Sequence, residues 1–422
     1  MTARPELSVP FPTVWFVRLL HTADWHVGKS LKGVSRLDEQ EQVLRQIVGI
    51  VREQEVDAVL VAGDLYDSAA PSAAAQRLVV RTLTALAGTG AQIVVIAGNH
   101  DHAATIDAYA PFARAAGITM VGTVRTAESG GVVEFTARGE RATVAVLPFL
   151  SQRYAVRAAE LVAHTPAENT SAYDQQVRDI VGALAAGFRT DAVNLVMAHL
   201  TVLGGTFGGG ERAAQSIFEY SVPAAVFPSD AHYVALGHLH RRQALAAPVP
   251  VHYSGAPLAV DFGEQDNTNV VLLVEATPTT PARVAEIPVT AGRRLRTVHG
   301  TVGELAALRG TVGDDLLRVW VREHARAGLR EQVTELLPNA LEVRIDPEFA
   351  APVTGSRPSG GPSADRSPGE LFGEYLRTRA VDDRRVEELF ARLHDRVSTV
   401  GERPIGERTA GERTVGESKE NA

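Results

Sequence analysis

The sequence predicts an α/β fold whose N-terminal part holds a parallel sheet. Three stretches of strand length with many apolar residues, at 18–23, 56–62 and 93–97, each end shortly before candidate polar ligands. The stretches between them, 38–54 and 68–86, carry apolar residues at helical spacing. A βαβαβ order gives parallel strands with right-handed crossovers, and ligands bind outside the carboxyl ends of such strands. The sequence therefore places its chemistry at one edge of a sheet.

The two N-terminal helices are predicted from different signals. The first, at 38–54, has one apolar face, formed by Val43, Leu44, Ile47, Val48 and Val51. The second, at 68–86, has Pro71 near its first turn, where the missing N–H costs little. Both helices are expected to cover the sheet.

The pattern changes after residue 118. Short apolar stretches alternate with Gly-rich turns as far as 148, which predicts a second sheet. A further helix is expected at 173–188, before another buried strand that ends at His199. The glycines of 203–210 predict a mobile loop beside the site.

The chain has 422 residues, too many for one ordinary core, so we expect several domains. Their boundaries follow from composition, because prolines cluster near 277–281 and Ser, Pro and Gly dominate the linker. The expected order is a disordered extension at 1–16, a main domain at 17–278, a small α/β capping domain at 285–350, a flexible linker at 351–369, amphipathic partner-binding helices at 370–398, and a disordered Gly-Glu-Arg repeat tail at 399–422.

Composition excludes several classes of protein. The chain has no Cys, which excludes a disulfide scaffold and thiolate metal sites. No apolar run reaches the roughly 18 residues of a membrane span, and no secretory signal pattern opens the chain. A cytoplasmic protein is therefore expected. The formal net charge of −8 disfavours a nucleic-acid partner, unless bound metal ions or a partner protein reverse the local field.

Hard metal ligands follow the ends of the predicted strands. A carboxylate can bridge two cations, since it presents two equivalent oxygens, and imidazole and amide oxygen complete a mixed set. Such a set suits Mn²⁺ or Fe²⁺, with Zn²⁺ open and Mg²⁺ less favoured. The sequence therefore predicts a site for two metal ions, with the candidate ligands Asp24, His26, Asp64, Asn99, His199, His238 and His240.

The order of these motifs resembles the calcineurin-like metallophosphoesterase superfamily. Asp-x-His, Gly-Asp-x-x-Asp, Gly-Asn-His-Asp, a lone His and Gly-His-x-His follow one another across residues 17–275. Within the superfamily the chain is similar to the SbcD family, bacterial counterparts of the Mre-eleven DNA repair nucleases. The similarity rests on the stretches at 21–29, 199–201 and 253–258. It implies a two-sheet αββα sandwich followed by a capping domain and a tethered helical segment.

The resemblance also implies how the ligands divide. Asp24, His26, Asp64 and His240 would hold one ion, and Asp64, Asn99, His199 and His238 the other. Two such ions, most simply Mn²⁺, would clamp a phosphate and supply hydroxide near neutral pH. His100, beside a ligand, would donate a proton to the leaving sugar oxygen.

Asp67 and Asp101 lie near the predicted site, but each is also a candidate helix N-cap. Asp67 resembles the carboxylate that orients the corresponding His in phosphatase relatives, although some nucleases of the group carry His there. It is equally a candidate N-cap for the helix that follows Ser68 and Pro71. Asp101 is a candidate N-cap for the next helix.

By resemblance, the expected function is that of a metal-dependent DNA nuclease subunit in repair and recombination. It would act as a 3′-to-5′ double-strand exonuclease and as an endonuclease on hairpins and single strands. The expected partners are DNA, an SbcC-like coiled-coil ATPase docked on 370–398, and a second copy of the chain within a heterotetramer. In the homodimer, the helices after Asp67 and His100 would meet across the two-fold axis.

Two rival functions stay open. A phosphoesterase acting on a small phosphodiester or a phosphoprotein would use the same ligands, but would not need the capping domain. A non-catalytic scaffold would not need Asp64, Asn99 and His100 intact.

The predicted C-terminal helices also have an alternative to partner binding. Their apolar residues could fold back onto their own domain, which concerns Phe372, Tyr375 and Leu376.

Overall fold

The computed structural model of the chain describes residues 16–151, 166–211 and 221–350, together with Phe372, Leu376 and Phe390. Its two compact units are Met1–Ala351 and Pro352–Ala422. The extension, the linker and the repeat tail expected from the sequence lie outside the described residues, apart from Phe16. Of the expected helices at 370–398, only the three named residues are described, and all three are helical.

The secondary structure alternates strands and helices in its first third and is richer in strands thereafter. The described helices are α1 (Leu37–Glu53), α2 (Ala73–Ala87), α3 (Ala103–Ala115), α4 (Pro166–Ala185), α5 (Val302–Ala307) and α6 (Leu329–Leu336). The described strands are β1 (Val17–Thr22), β2 (Ser30–Leu31), β3 (Val34–Ser35), β4 (Ala58–Ala62), β5 (Gln92–Ile96), β6 (Ile118–Val121), β7 (Val132–Ala137), β8 (Glu140–Leu147), β9 (Ala192–His199), β10 (Thr201–Val202), β11 (Ser221–Val222), β12 (Tyr233–Gly237), β13 (Gln243–Leu245), β14 (Val251–Tyr253), β15 (Val270–Thr277), β16 (Thr280–Pro288), β17 (Leu295–Gly300), β18 (Leu316–Val321) and β19 (Ala340–Ile345).

Two six-stranded sheets form the centre of the first unit. The first has the order β16-β15-β1-β4-β5-β6, and the second has the order β13-β14-β12-β9-β8-β7. Strands β1, β4, β5 and β6 are parallel to one another, as the βαβαβ pattern predicts. In the second sheet β8, β9, β12 and β14 are parallel, so the carboxyl ends of its central strands also share one edge.

The two sheets pack face to face and helices cover their outer faces. Buried side chains of both sheets share one cluster, with Leu60 and Val94 from the first and Leu195 and Met197 from the second. A second cluster joins the other face of the first sheet to α1 and α2. A third joins the second sheet to α4. This arrangement confirms the αββα sandwich that the resemblance implied.

The observed boundaries of α1 agree with those predicted from the sequence, whereas α2 begins later than predicted. Helix α1 lies within one residue of its predicted range. The predicted start of α2 at 68 was wrong, because the Ser72 side chain accepts a hydrogen bond from Ala75 N and caps the helix there. Pro71 therefore precedes the cap.

No helix in the described part of the chain is long and apolar enough to cross a membrane.

A third, smaller sheet follows the sandwich. Strands β17, β18 and β19 are parallel, and α5 and α6 cover one of their faces through a separate core that includes Leu305 and Val333. This small subdomain begins later than the boundary expected at 285, because β16 continues the first sheet as far as Pro288. Its other face meets the sandwich near Phe262.

Candidate metal centre

The seven candidate ligands follow, or end, parallel strands whose carboxyl ends meet at one edge of the sandwich. Asp24 and His26 follow β1, Asp64 follows β4, and Asn99 follows β5 in the first sheet. In the second sheet His199 ends β9, while His238 and His240 follow β12. Six of the seven are buried, and Asn99 is partly exposed. The structure thus brings together residues that lie up to 216 positions apart in the chain.

One half of the cluster consists of Asp24, His26 and His240, whose ligand atoms lie within 4.8 Å of one another. The Nε2 atoms of His26 and His240 are 2.9 Å apart. Nδ1 of His240 is 2.5 Å from Glu264 Oε1, so the proton held there leaves Nε2 as the nitrogen that would bind a metal ion. Two ring nitrogens at this distance need a proton or a metal ion between them, which fits a cation site between the two rings.

The other half has the same character. Oδ1 of Asn99 lies 2.9 Å from His199 Nε2 and 2.8 Å from His238 Nδ1. Since His199 Nδ1 donates to the Ala62 carbonyl at 2.8 Å, the ring would present the Nε2 lone pair to the amide oxygen once Nε2 has lost its proton. Two acceptors in contact repel each other unless a proton or a metal ion intervenes, so this half also fits a cation.

Asp64 lies between the halves. Its Oδ2 is 3.6 Å from His26 Nε2 and 3.5 Å from His199 Nε2, while its Oδ1 accepts a hydrogen bond from His100 N at 2.8 Å. A side chain at Gly98 would collide with the Asp64 carboxylate, which explains the glycine before Asn99. The carboxylate therefore has the position that a bridging ligand requires.

The backbone at the site is strained. Asp24, His26, Asp64 and His238 have φ angles of 55°, 45°, 53° and 102°, in the left-handed region that non-glycine residues rarely adopt. Each such residue costs on the order of 1–3 kcal/mol and persists only where the surrounding structure holds it. Four such residues lie in this one cluster. Their backbone conformation directs the side chains toward the site and lowers the stability of the fold.

Several candidate ligands have pKa values far from their usual range. Burial raises the pKa of Asp24 to about 7, and burial lowers the pKa of His238 to about 3. Burial acts most strongly to lower the pKa of His199, but the charge and hydrogen bond of Asp64, the charge of Asp24 and the hydrogen bond to the Ala62 carbonyl together raise it to about 9. For His240, burial is again the largest influence, but the hydrogen bond and charge of Glu264, with the charges of Asp24 and Glu211, together raise the pKa to about 9. With no metal ion bound, His199 and His240 therefore hold protons that a metal ion would displace.

His100 and Asp67 lie beside the cluster. Nδ1 of His100 donates to the backbone carbonyl of Asp67 at 2.7 Å and is 4.0 Å from its carboxylate. The Asp67 carboxylate is 3.0 Å from Lys29 Nζ. Asp67 thus holds the His100 ring mainly through its carbonyl. The N-cap alternative for Asp67 was wrong, because Ser72 caps α2.

Three supporting carboxylates were missed or misread in the sequence. Glu264 binds His240 Nδ1, and Glu211 accepts the backbone N–H of His240 at 3.0 Å. Asp101 accepts the N–H groups of Leu65, Tyr66 and Gly98, which ties two ligand loops together. It is not the cap of α3, since His102 fills that position. The Gly-Asn-His-Asp motif contained Asp101, but no local pattern marks Glu264 or Glu211.

Glu211 also changes the interpretation of the Gly-rich loop that was expected to be mobile. Its carboxylate accepts the N–H groups of Gly208 and Gly209 at 2.6 and 2.7 Å. A side chain at Gly210 would meet Glu264 and His240. The described part of this loop therefore packs directly against a candidate ligand.

Comparisons with known proteins agree on one family. The family model for calcineurin-like phosphoesterases matches residues 17–242. The chain is 38% identical over 283 residues to the SbcD subunit of the SbcCD nuclease of Bacillus subtilis (strain 168), covering 66% of this chain and 71% of that protein. It is 36% identical over 271 residues to the protein of the same name from Rhodobacter capsulatus, covering 61% of this chain and 66% of the relative.

The corresponding protein from Escherichia coli (strain K12) is 32% identical over 269 residues, covering 61% of this chain and 64% of the relative. The three matches thus span about two thirds of the length of each relative and leave a third or more of this chain uncovered. The family match extends over more than half of the chain and contains every candidate ligand. The chain therefore belongs to the calcineurin-like phosphoesterase family.

Proposed function

We propose that the protein is the nuclease subunit of an SbcCD-like complex and hydrolyses DNA phosphodiesters with two metal ions. The observation that carries the proposal is the convergence of seven buried or partly buried ligands, with candidate ligand atoms in contact on both sides of Asp64. The similarity to proteins named as SbcD subunits of the SbcCD nuclease supports DNA as the substrate. The 3′-to-5′ exonuclease and hairpin endonuclease activities in DNA repair and recombination are part of the proposal.

The donor set indicates which residues would hold which ion. Asp24, His26 and His240 would hold one, Asn99, His199 and His238 the other, and Asp64 would bridge them. Imidazole with oxygen donors favours Mn²⁺, and Fe²⁺ and Mg²⁺ are the alternatives to test. Two bound ions would neutralise phosphate charge and lower the pKa of a water so that hydroxide forms near neutral pH.

The protein's own contribution is to orient groups and to move a proton. His100 Nδ1 is held by the Asp67 carbonyl, so we assign the transferred proton to Nε2, for delivery to the leaving sugar oxygen. Asp101 fixes the loops that carry Asp64 and Asn99, and this holds the two ligands at a constant position relative to His100. Asp67 is a positioning residue in this scheme.

The small subdomain supports a nucleic-acid substrate over a small phosphodiester. On the face of its sheet opposite the helices, Arg318 and Arg344 pair with a single carboxylate, Glu342, which Lys32 also approaches from the turn between β2 and β3. The Arg344 guanidinium also lies 5.5 Å from the ring centroid of Trp320. An excess of cations beside an aromatic ring suits phosphate and base together. In a chain of net charge −8, this local reversal of sign supports the capping domain as a DNA contact.

The proposed assembly includes two protein partners. Of the five exposed large hydrophobic side chains in the described part, three, Val80, Tyr109 and Phe112, lie on α2 and α3 beside a groove of about 370 Å³. We propose that this face meets a second copy of the chain. We propose that residues 370–398 bind an SbcC-like coiled-coil ATPase, which completes a heterotetramer.

The decisive experiment is Mn²⁺-dependent digestion of an end-labelled DNA duplex by the purified full-length chain. A generic phosphodiester, bis-p-nitrophenyl phosphate, is measured in parallel, with Asp64→Asn as the inactive control for both. The proposal expects metal-dependent shortening of the duplex from its 3′ ends. Hydrolysis of the generic ester with an intact duplex would favour the rival function, a phosphoesterase acting on a small phosphodiester or a phosphoprotein.

A further inference from the structure

Residues 258–265, called here the docking segment, contact both the small subdomain and the candidate metal centre. On the subdomain side, Leu295 and Leu316 pack against Ala259 and Phe262 in one buried cluster. The Arg318 guanidinium lies 4.7 Å from the centroid of the Phe262 ring. Thr297 N, in β17, donates to the Gln265 side chain at 2.8 Å. The small sheet therefore rests on this segment through apolar, cation–π and hydrogen-bonding contacts.

A buried arginine fixes the start of the same segment. Arg36, only 2% exposed, donates to the carbonyls of Ala259 and Arg293. Glu39 pairs with Arg36 at 2.8 Å and accepts the Arg293 N–H at 2.8 Å. Because Arg293 lies two residues before β17, the start of α1, the docking segment and the entry to the small subdomain share one hydrogen-bonded network.

On its other side the docking segment carries Glu264, which is 1% exposed. Oε1 of Glu264 is 2.5 Å from His240 Nδ1, and Oε2 accepts the Val260 N–H at 2.7 Å. The second contact ties the carboxylate to its own segment. A side chain at Gly263 would meet the backbone of Gly209, so the segment is also closely packed from the side of the Gly-rich loop.

From these contacts we infer that Glu264 is a positioning residue for His240, and that docking of the small subdomain on residues 258–265 sets its position. The inference rests on the proposed metal centre and adds to it a mechanical link between the subdomain and one ligand. Glu264 fixes which nitrogen of His240 carries the proton and therefore which one faces His26. A shift of the docking segment would move the Glu264 carboxylate and turn the ring with it.

The test is a titration of the full-length chain with Mn²⁺. Electron paramagnetic resonance measures the free ion that remains at each step. Glu264→Ala is expected to weaken binding of one ion by about 10- to 100-fold, the usual effect of removing a carboxylate behind a ligating histidine. Glu264→Gln keeps an acceptor oxygen for Nδ1–H and is expected to restore most of the affinity. If Glu264→Ala binds two ions with wild-type affinity, the inference is wrong.

The link to the subdomain needs variants on its side of the contact. Arg318→Ala removes the cation over Phe262. Gln265→Ala, at an exposed position, removes the acceptor of the Thr297 N–H. Each is expected to weaken the same ion by about 2- to 30-fold. Arg330→Ala, an exposed change elsewhere on the small subdomain, serves as the matched control and is expected to bind as the wild type does. Melting of the metal-free proteins verifies that each variant is folded.

The double variant Glu264→Ala/Arg318→Ala separates coupling from general damage. If Arg318 acts through Glu264, the double variant binds no more weakly than Glu264→Ala alone, whereas independent effects multiply. Wild-type affinity in both Arg318→Ala and Gln265→Ala would overturn the link. A wild-type chain that binds no Mn²⁺ would instead contradict the proposed two-metal function, so the two failures are distinguishable.

Discussion

Asp64 lies at the centre of the site because both halves of the ligand cluster converge on it. Its two oxygens have different environments, since one accepts the His100 N–H and the other lies between His26 and His199. Burial acts most strongly to raise the Asp64 pKa, but His199, His26 and His100 together hold it below its usual value. A carboxylate that stays ionised while fully buried needs compensating positive charge, which protonated imidazole or metal ions can supply.

Asp64→Asn is expected to abolish tight binding of both Mn²⁺ ions, because the amide keeps one acceptor oxygen but loses the negative charge and the second oxygen. Isothermal titration of the metal-free chain measures the stoichiometry. Asp24→Asn is the matched control, since Asp24 belongs to one half of the cluster, and it is expected to lose one ion. A bridging role would be excluded if the Asp64→Asn protein still bound two ions tightly.

His100 is expected to act after metal binding. His100→Ala should bind Mn²⁺ with wild-type stoichiometry while duplex cleavage falls by about 10²- to 10⁴-fold, the range for loss of a general acid. His102→Ala, which removes the exposed N-cap of α3 two residues away, is the control and should cleave normally. Loss of a metal ion in His100→Ala would place the ring among the ligands instead.

At the scale of secondary-structure elements, the sequence predicted what is local and missed what is tertiary. The range of α1 follows from its own apolar spacing, so it was predicted to within one residue. At α2, Pro71 and Ser72 both signal a start, and only the hydrogen bond to Ala75 decides between them. Glu264 reaches His240 across 24 residues of sequence, a contact that depends on the tertiary fold. Neither periodicity nor spacing could reveal it.

The helix pair α2 and α3 yields a prediction about assembly. Phe112 is 80% exposed, which is unusual for a large apolar side chain, and Val80 and Tyr109 extend the same face. Phe112→Glu is expected to convert a dimer into a monomer, because a carboxylate buried at an apolar interface has no partner. Light scattering after size exclusion measures the mass. Leu203→Glu, at an exposed apolar residue outside these helices, should leave the mass unchanged. A wild-type monomer would contradict the proposal.

At the scale of the whole molecule, the chain divides its tasks between separate units. Every candidate ligand lies in the unit Met1–Ala351, while the apolar segment expected to bind a partner lies in Pro352–Ala422. In that second unit the rings of Phe372 and Phe390 are stacked with centroids 4.1 Å apart, and Leu376 is buried. The Phe372 and Phe390 rings therefore contact each other within this second unit.

Deletion of residues 370–398 tests this division of tasks. Because no candidate ligand is removed, the shortened chain should retain Mn²⁺ binding and duplex cleavage at wild-type levels. It should fail to co-purify with an SbcC-like ATPase, since the apolar residues that would dock on the coiled coil are absent. Deletion of 399–422, a tail of repeated Gly-Glu-Arg, is the control and should leave the complex intact. Survival of the complex after loss of 370–398 would move the docking surface to the catalytic unit. Loss of cleavage without the ATPase would instead make residues 370–398 part of the nuclease itself.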